Sequence, residues 1–250
     1  LQRIAGGAAE RALIPAVQTA TGATRAAVVA ALGERRAASA VLVIAPLLQQ
    51  PAFALPAAIA LGRIGGEAAA AALVSAFATA PAGLKQAVAS SILSSAEMAL
   101  AAKDNAAALR LYEMLFSDAS LPVPLRKAAL TGRVAAGGKS AAVLVLEALG
   151  GSDPGMQEAA IATIADVFAP DAIGPVCPFM PRLSDRGRIQ LLAVLSAYPG
   201  DRVAPTVRQE LTNPAAAVRI AALQALGSVG GPGAIRPLAD AASRARGPEQ

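Results

Sequence analysis

The sequence predicts an all-α solenoid, a superhelix built from antiparallel helix pairs, and three observations carry that expectation. One block recurs as PLRKAALTG, GMQEAAIATI, GRIQLLAVL and AVRIAALQAL, with evenly spaced marker residues Arg126, Gln157, Arg188 and Arg219, each 31 positions after the last. A second apolar block follows each first one: AVLVLEAL, AIGPVCPF, VAPTVRQEL and AIRPLADAA. The chain of 250 residues is 55% hydrophobic but only 3% aromatic, and it is rich in alanine, whose high helix propensity and small side chain suit close helix layers.

Taken in order, a truncated half-repeat ends near Thr21, and seven pairs begin near residues 22, 52, 82, 124, 154, 185 and 214. Arg25, Ala54 and Lys85 fill the marker position in the earlier copies. Leu130, Ile161, Leu192 and Leu223 lie four residues after a marker, and Leu32, Leu61, Ile92, Ile164, Leu195 and Leu226 lie seven after. Spacings of three and four place them on one helical face, the face expected to be buried. Asp153-Pro154 and Asn213-Pro214 each set a capping side chain before a proline suited to a first helical turn. The pairs Gly65-Gly66, Gly137-Gly138 and Gly230-Gly231 are expected at or just after the ends of first helices.

Two elements break the pattern. Lys85 and Arg126 stand 41 positions apart, so the pair at 82–123 is long and irregular, and residues 100–122 form an extra helical stretch with Ala108, Leu111, Tyr112 and Leu115 on one face. That face is similar to a tetratricopeptide helix, and an extended helix that bends the solenoid is the expected outcome, with a binding feature as the alternative. Pro170, Pro175, Pro178 and Pro181 are too dense for a regular helix, because an interior proline removes a backbone donor and crowds the preceding turn. A broken or 3₁₀ segment is expected there.

Composition removes most chemistries. With no histidine, a Ser-His-Asp triad, a Cys-His pair and most zinc and non-haem iron sites have no ligand or base. Cys177 is the only thiol, so no internal disulfide or thiolate cluster forms, and it reads as a packing residue. Net charge is +5, yet residues 1–125 carry 9 basic and 7 acidic groups and residues 126–250 carry 13 and 10, interspersed and with few aromatics to stack on bases. Nucleic acid is not the expected partner. Residues 37–62 hold no charge over 26 positions, but Pro46, Pro51 and Pro56 interrupt them, so they read as two packed helices rather than a membrane span.

The blocks AVRIAALQALGSVGGPGAIRPLADAA (217–242) and AIALGRIGGEAAAAAL (58–73) resemble the HEAT repeats, above all their short bacterial form related to bilin-lyase repeats. The resemblance covers nearly the whole chain, more weakly in its middle. It implies one solenoid over residues 1–250, expected to be a segment of a larger polypeptide, either cytoplasmic or exported. It also implies a non-catalytic scaffold that takes a protein, or a neighbouring domain of the same chain, on the concave surface lined by second helices. A bilin-lyase-type or other small-ligand protein is the alternative. The His-Glu iron ligands of deoxyhypusine hydroxylase are absent, as is the tryptophan-lined cleft of the alkyl-base glycosylases.

Within this frame no catalytic residue, metal site or cofactor is expected. GRIGGE and GGPG are turns, lacking the lysine and strand of a phosphate loop. Asp166, Asp171, Asp185 and Asp201 fall near helix ends, where a carboxylate serves as a cap or dipole partner. The basic column Arg25, Lys85, Arg126, Arg188 and Arg219 is expected to cover the apolar seam and bond carbonyls or acids of adjacent repeats. Partner contacts are expected from second helices, where Glu147, Pro178, Gln209 and Asp240 recur with the same period as the markers and Arg208, Arg236 and Arg244 stand beside them. Arg208, Arg236 and Asp240 should face outward there, and Val207 and Leu238 inward.

Overall fold

A computed structural model describes residues 7–244, apart from Pro199 and Asp201. Every regular element among the described residues is helical, and no strand occurs. The chain divides into two compact units, Leu1–Gly137 and Gly138–Gln250.

In the first unit, α1 (Gly7–Thr19) is followed by α2 (Gly22–Glu34), then by a short composite of 3₁₀ and α turns in which α3 (Val41–Ile44) is embedded. Next come α4 (Ala54–Ile64), α5 (Gly66–Thr79), α6 (Ala82–Ala101), α7 (Asn105–Ser117) and α8 (Val123–Ala136). First helices pack on first helices, α2 on α4, α4 on α6 and α6 on α8, while α1, α3 with the 3₁₀ turn after it, and α5 touch along a second layer. This is the sequential stacking of helix pairs that a helical repeat requires, since a single pair cannot bury its own apolar face.

The second unit contains α9 (Ala141–Gly150), α10 (Pro154–Val167), a 3₁₀ segment Gly174–Arg182, α11 (Asp185–Leu195), α12 (Ala204–Gln209), α13 (Ala216–Val229) and α14 (Ile235–Arg244). Here α10, α11 and α13 pack in succession, and the 3₁₀ segment lies between α9 and α12. The proline-dense stretch is thus 3₁₀, as expected from its missing backbone donors.

Helix starts at 22, 54, 82, 123, 154, 185 and 216 follow the sequence register closely. Six residues that stand seven after a marker, Leu32, Leu61, Ile92, Ile164, Leu195 and Leu226, are all fully buried. Residues 37–62 divide at 50–53, and no single described helix is long and apolar enough to cross a membrane. The long pair resolves into the 20-residue α6 plus α7, whose buried residues are Ala108, Leu111, Tyr112 and Leu115. Gly65 and Gly66 both take positive φ, so α4 ends and α5 begins with only Gly65 between them.

One capping expectation needs correction. Asp153 caps α10 by accepting from the backbone N–H groups of Gly155 and Met156, but α13 begins only at Ala216 and has no side-chain cap. Asn213 instead closes a local turn onto the N–H of Ala215 at 3.0 Å and donates to Glu210 at 2.7 Å. The Asn213 amide nitrogen is held by the buried Glu210 carboxylate, while its oxygen, the atom a cap would use, is taken by the N–H of Ala215, and the helix starts downstream of Pro214.

Candidate functional site

The marker residue is the fourth residue of α2, α6, α8, α10, α11 and α13. Side chains on a helix tilt toward its N-terminus, so a long side chain at this position reaches back over the first turn to the chain that precedes it. Helices leave their last carbonyls without intrahelical donors, and these are what it finds. Arg126 Nε donates to Phe116 O at 3.2 Å, and Gln157 Nε2 to Gly151 O at 2.7 Å. Arg188 donates to Leu183 O and Pro181 O, and Arg219 to Asn213 O and Pro214 O at 3.0 and 2.8 Å.

A second set of bonds runs forward to the end of the helix that follows. Arg25 reaches Gln50 Oε1 and lies over the Phe53 ring. Lys85 bonds Ser120 Oγ at 2.9 Å and pairs with Asp118 at 2.8 Å, while resting 5.0 Å from the Phe77 ring centre. Arg188 makes both kinds of contact, since its Nη1 also donates to both oxygens of Glu210 at 3.2 and 3.1 Å. The basic column is therefore a set of internal staples, as the sequence led us to expect.

These contacts set the local titration. Asp118 is held down to about 2 by the Lys85 hydrogen bond first and by the Ser120 hydroxyl second. Burial raises the phenols of Tyr112 and Tyr198, with Glu97 and Asp166 adding to the respective effects. Tyr198 donates to Phe168 O at 3.0 Å, a tie across adjacent helix pairs.

The candidate partner residues sit on second elements of one unit. Glu147 on α9, Arg208 and Gln209 on α12, and Arg236 and Asp240 on α14 are all exposed, as is Pro178 in the 3₁₀ segment. Val207 is fully buried and Leu238 half-buried. The side chain of Arg244, like Asp201, lies outside the described residues. No hydrogen bond or ion pair engages the side chains of Glu147, Arg208, Gln209, Arg236 or Asp240 among the described residues.

Asp185 stands in the first turn of α11, where Ser184 supplies the cap. Asp166 lies near the C-terminal end of α10, the wrong end for a carboxylate to complement the dipole, and Asp171 contributes its carbonyl to Arg202 instead. Cys177 is half-buried with its sulfur 4.0 Å from Arg202 O. No group of three or more Cys, Asp or Glu side chains is placed to hold a metal ion among the described residues.

Two elements escaped the sequence reading. Glu210, only 5% exposed, is the acid that pairs with Arg188; its signal was an acid inside the apolar block VAPTVRQEL at the place where Gln50 and Asp118 end earlier second elements. Arg133, which fills the buried position seven after the marker in α8, pairs with Glu113 and covers the Phe116 ring at 4.5 Å.

No protein-family model matches the chain, and no curated protein is significantly similar to it. The fold and site define an all-α protein of sequentially stacked helix pairs with an internally bonded basic column.

Proposed function

We propose that the chain is a HEAT-like solenoid of seven helix pairs and a half-repeat, a single array with its long irregular pair at 82–123, acting as a non-catalytic scaffold. It takes a protein partner, or a neighbouring domain of the same polypeptide, on the surface made by second elements, the concave one in HEAT arrays. The supporting observation is a division between two sets of charged residues. Marker cations are consumed by internal bonds to carbonyls and acids. Glu147, Gln209 and Asp240 at the recurring position, and Arg208 and Arg236 beside it, stay exposed on second elements. A repeat presents equivalent side chains along one face, so many modest contacts sum to one interface. The mixture of signs suits a protein surface better than a phosphate backbone.

The test begins by identifying a partner through crosslinking to the full chain and then measuring its affinity with purified components. R208E/R236E should weaken binding at least tenfold with unchanged helix content, because exposed substitutions usually change stability by no more than about 0.5 kcal/mol. A193E/Q224E, on the first helices α11 and α13, should bind as the wild type does. The opposite pattern rejects the second-element surface.

A further inference from the structure

Within the second unit the cations fall into two groups. The arginines of the first helices α11 and α13 are engaged internally: Arg186 pairs with Glu158 at 3.2 Å, Arg188 with Glu210 at 3.1 Å, and Arg219 donates to the carbonyls of Asn213 and Pro214. On the second elements and the turns before them, Lys139, Arg182, Arg202, Arg208 and Arg236 are all exposed, and none meets a carboxylate among the described residues. Arg182 lies over the Phe179 ring, and Arg202 donates to the backbone carbonyl of Asp171.

Three of these arginines form a row. Arg202 stands just before α12 and reaches back to the turn that precedes the 3₁₀ segment. Arg208, on α12, reaches forward: a Cβ on Gly233 would lie 2.8 Å from its Nη2, and Gly233 belongs to the turn that opens α14. Arg236 follows in the first turn of that helix. The positive heads thus collect where second elements begin, while Glu147 and Asp240 stand farther along theirs. Helix dipoles draw cations to the opposite, C-terminal ends, so dipole pairing does not account for the row. Like charges brought together with no counter-charge among the described residues repel one another, and a negatively charged partner relieves that repulsion.

We propose that this row is the part of the second-element surface that recognises the partner, and that it takes an acidic protein segment whose Asp or Glu carboxylates meet Arg202, Arg208 and Arg236. The proposal rests on the scaffold reading above and supplies the chemistry of its partner. A guanidinium presents a planar fork of donors that matches a carboxylate. The row lies on an open surface, where a single exposed ion pair contributes little, so a free carboxylate ion would not be retained. Several carboxylates carried on one segment add their contacts once the segment is captured. A nucleic-acid strand fits less well. Its evenly charged backbone would also run over Glu147, Asp171 and Asp240, and Phe179, half-buried under Arg182, is the one aromatic ring that the described second elements of this unit offer to a base. A peptide can place its acids opposite the arginines alone.

Fluorescence anisotropy on the full chain tests this with four labelled probes of matched length: a peptide of repeated Glu-Leu-Asp-Ser, its Gln-Leu-Asn-Ser and Lys-Leu-Arg-Ser counterparts, and a single-stranded DNA. The acidic peptide should bind saturably and about tenfold or more tightly than the other three, and its affinity should fall as salt is raised, because exposed charges are screened. R208Q/R236Q should weaken it about tenfold with an unchanged helical spectrum. K103Q/R110Q removes two exposed cations of the first unit instead, so it controls for the loss of net charge and should stay within about twofold of wild type. Overturning results are DNA bound as tightly as the acidic peptide, no preference for the acidic over the neutral peptide, or equal losses in the two double variants. A crosslinked partner that R208E/R236E releases, in a chain without the acidic preference, rejects this proposal and keeps the scaffold reading; an acidic preference lost in R208Q/R236Q, beside a partner that ignores R208E/R236E, keeps the row and rejects that reading.

Discussion

The two units hold equivalent helices together in different ways. In Leu1–Gly137 neighbouring first helices meet backbone to backbone, because Gly33 and Gly62 stand eight residues after their markers and face the next helix without a side chain. A Cβ on Gly33 would lie 2.7 Å from Ala60 Cα, and one on Gly62 would lie 2.9 Å from the Cα and carbonyl oxygen of Ser91. In Gly138–Gln250 the same position is Ala165, Ser196 or Gly227, and a Cβ on Gly227 would meet nothing within 4 Å; α11 is instead tied by Arg188 to Pro181, Leu183 and the buried Glu210, which Asn213 also serves. One repeat plan thus carries polar staples in both units, and the first adds close backbone approach of its first helices at Gly33 and Gly62. The contacts that matter most in each are different residues at different register positions.

The largest effect should come from breaking the polar staple. Arg188→Met leaves Glu210 charged, buried and without its guanidinium, and leaves two carbonyls unserved, a loss of about 3 kcal/mol by analogy with broken buried pairs. R188M/E210Q should recover a large part of it, because the orphaned charge is gone. The exposed Arg63–Glu34 pair of the other unit, with side chains 49% and 44% accessible, is the reference: Arg63→Ala should cost less than about 0.5 kcal/mol. Urea unfolding followed by circular dichroism measures all three. A cost for Arg188→Met no larger than that for Arg63→Ala would show that the staple is decoration.

Close approach is tested by two glycines eight residues after their markers. Gly62→Ala should destabilise by about 2 kcal/mol, since the new methyl meets the Ser91 backbone, which can only yield by moving α6. Gly227→Ala on α13 meets nothing within 4 Å and should stabilise by up to about 1 kcal/mol through helix propensity alone. Opposite signs at equivalent positions are the expected result of paired urea titrations. Equal signs would mean that the first unit does not depend on the glycine contact.

How far the sequence could be read follows from the same contrast. Periodic features were legible: helix starts, the six buried apolar residues seven after a marker, the 3₁₀ segment at the prolines, and the internal use of the basic column all follow from local spacing or proline chemistry. Features set by one unrepeated pairing were not. Glu210 carries no periodic mark of its pairing, because its partner Arg188 lies 22 positions earlier, on the preceding first helix. Asn213 looked like a helix cap because it stands before Pro214, and its hold on Glu210, itself paired with Arg188, is not written in that dipeptide.

The smallest effect concerns Asp118, whose ion pair with Lys85 ends the long repeat. Its carboxyl falls from the ordinary 3.8 to about 2 in the folded chain, so the folded state binds its proton less readily than the unfolded state does. The stabilisation is therefore fully present above about pH 4 and is lost as pH falls toward 2. Both side chains are partly accessible, at 21% for Asp118 and 31% for Lys85, so solvent screening limits the contribution to about 1 kcal/mol or less. Asp118→Asn should accordingly lower stability at pH 6 by up to that amount, and the difference from wild type should close between pH 4 and 2. Urea midpoints across that range decide the matter: a gap between the two proteins that stays constant with pH would show that Asp118 acts through its turn onto Ser120 rather than through its charge.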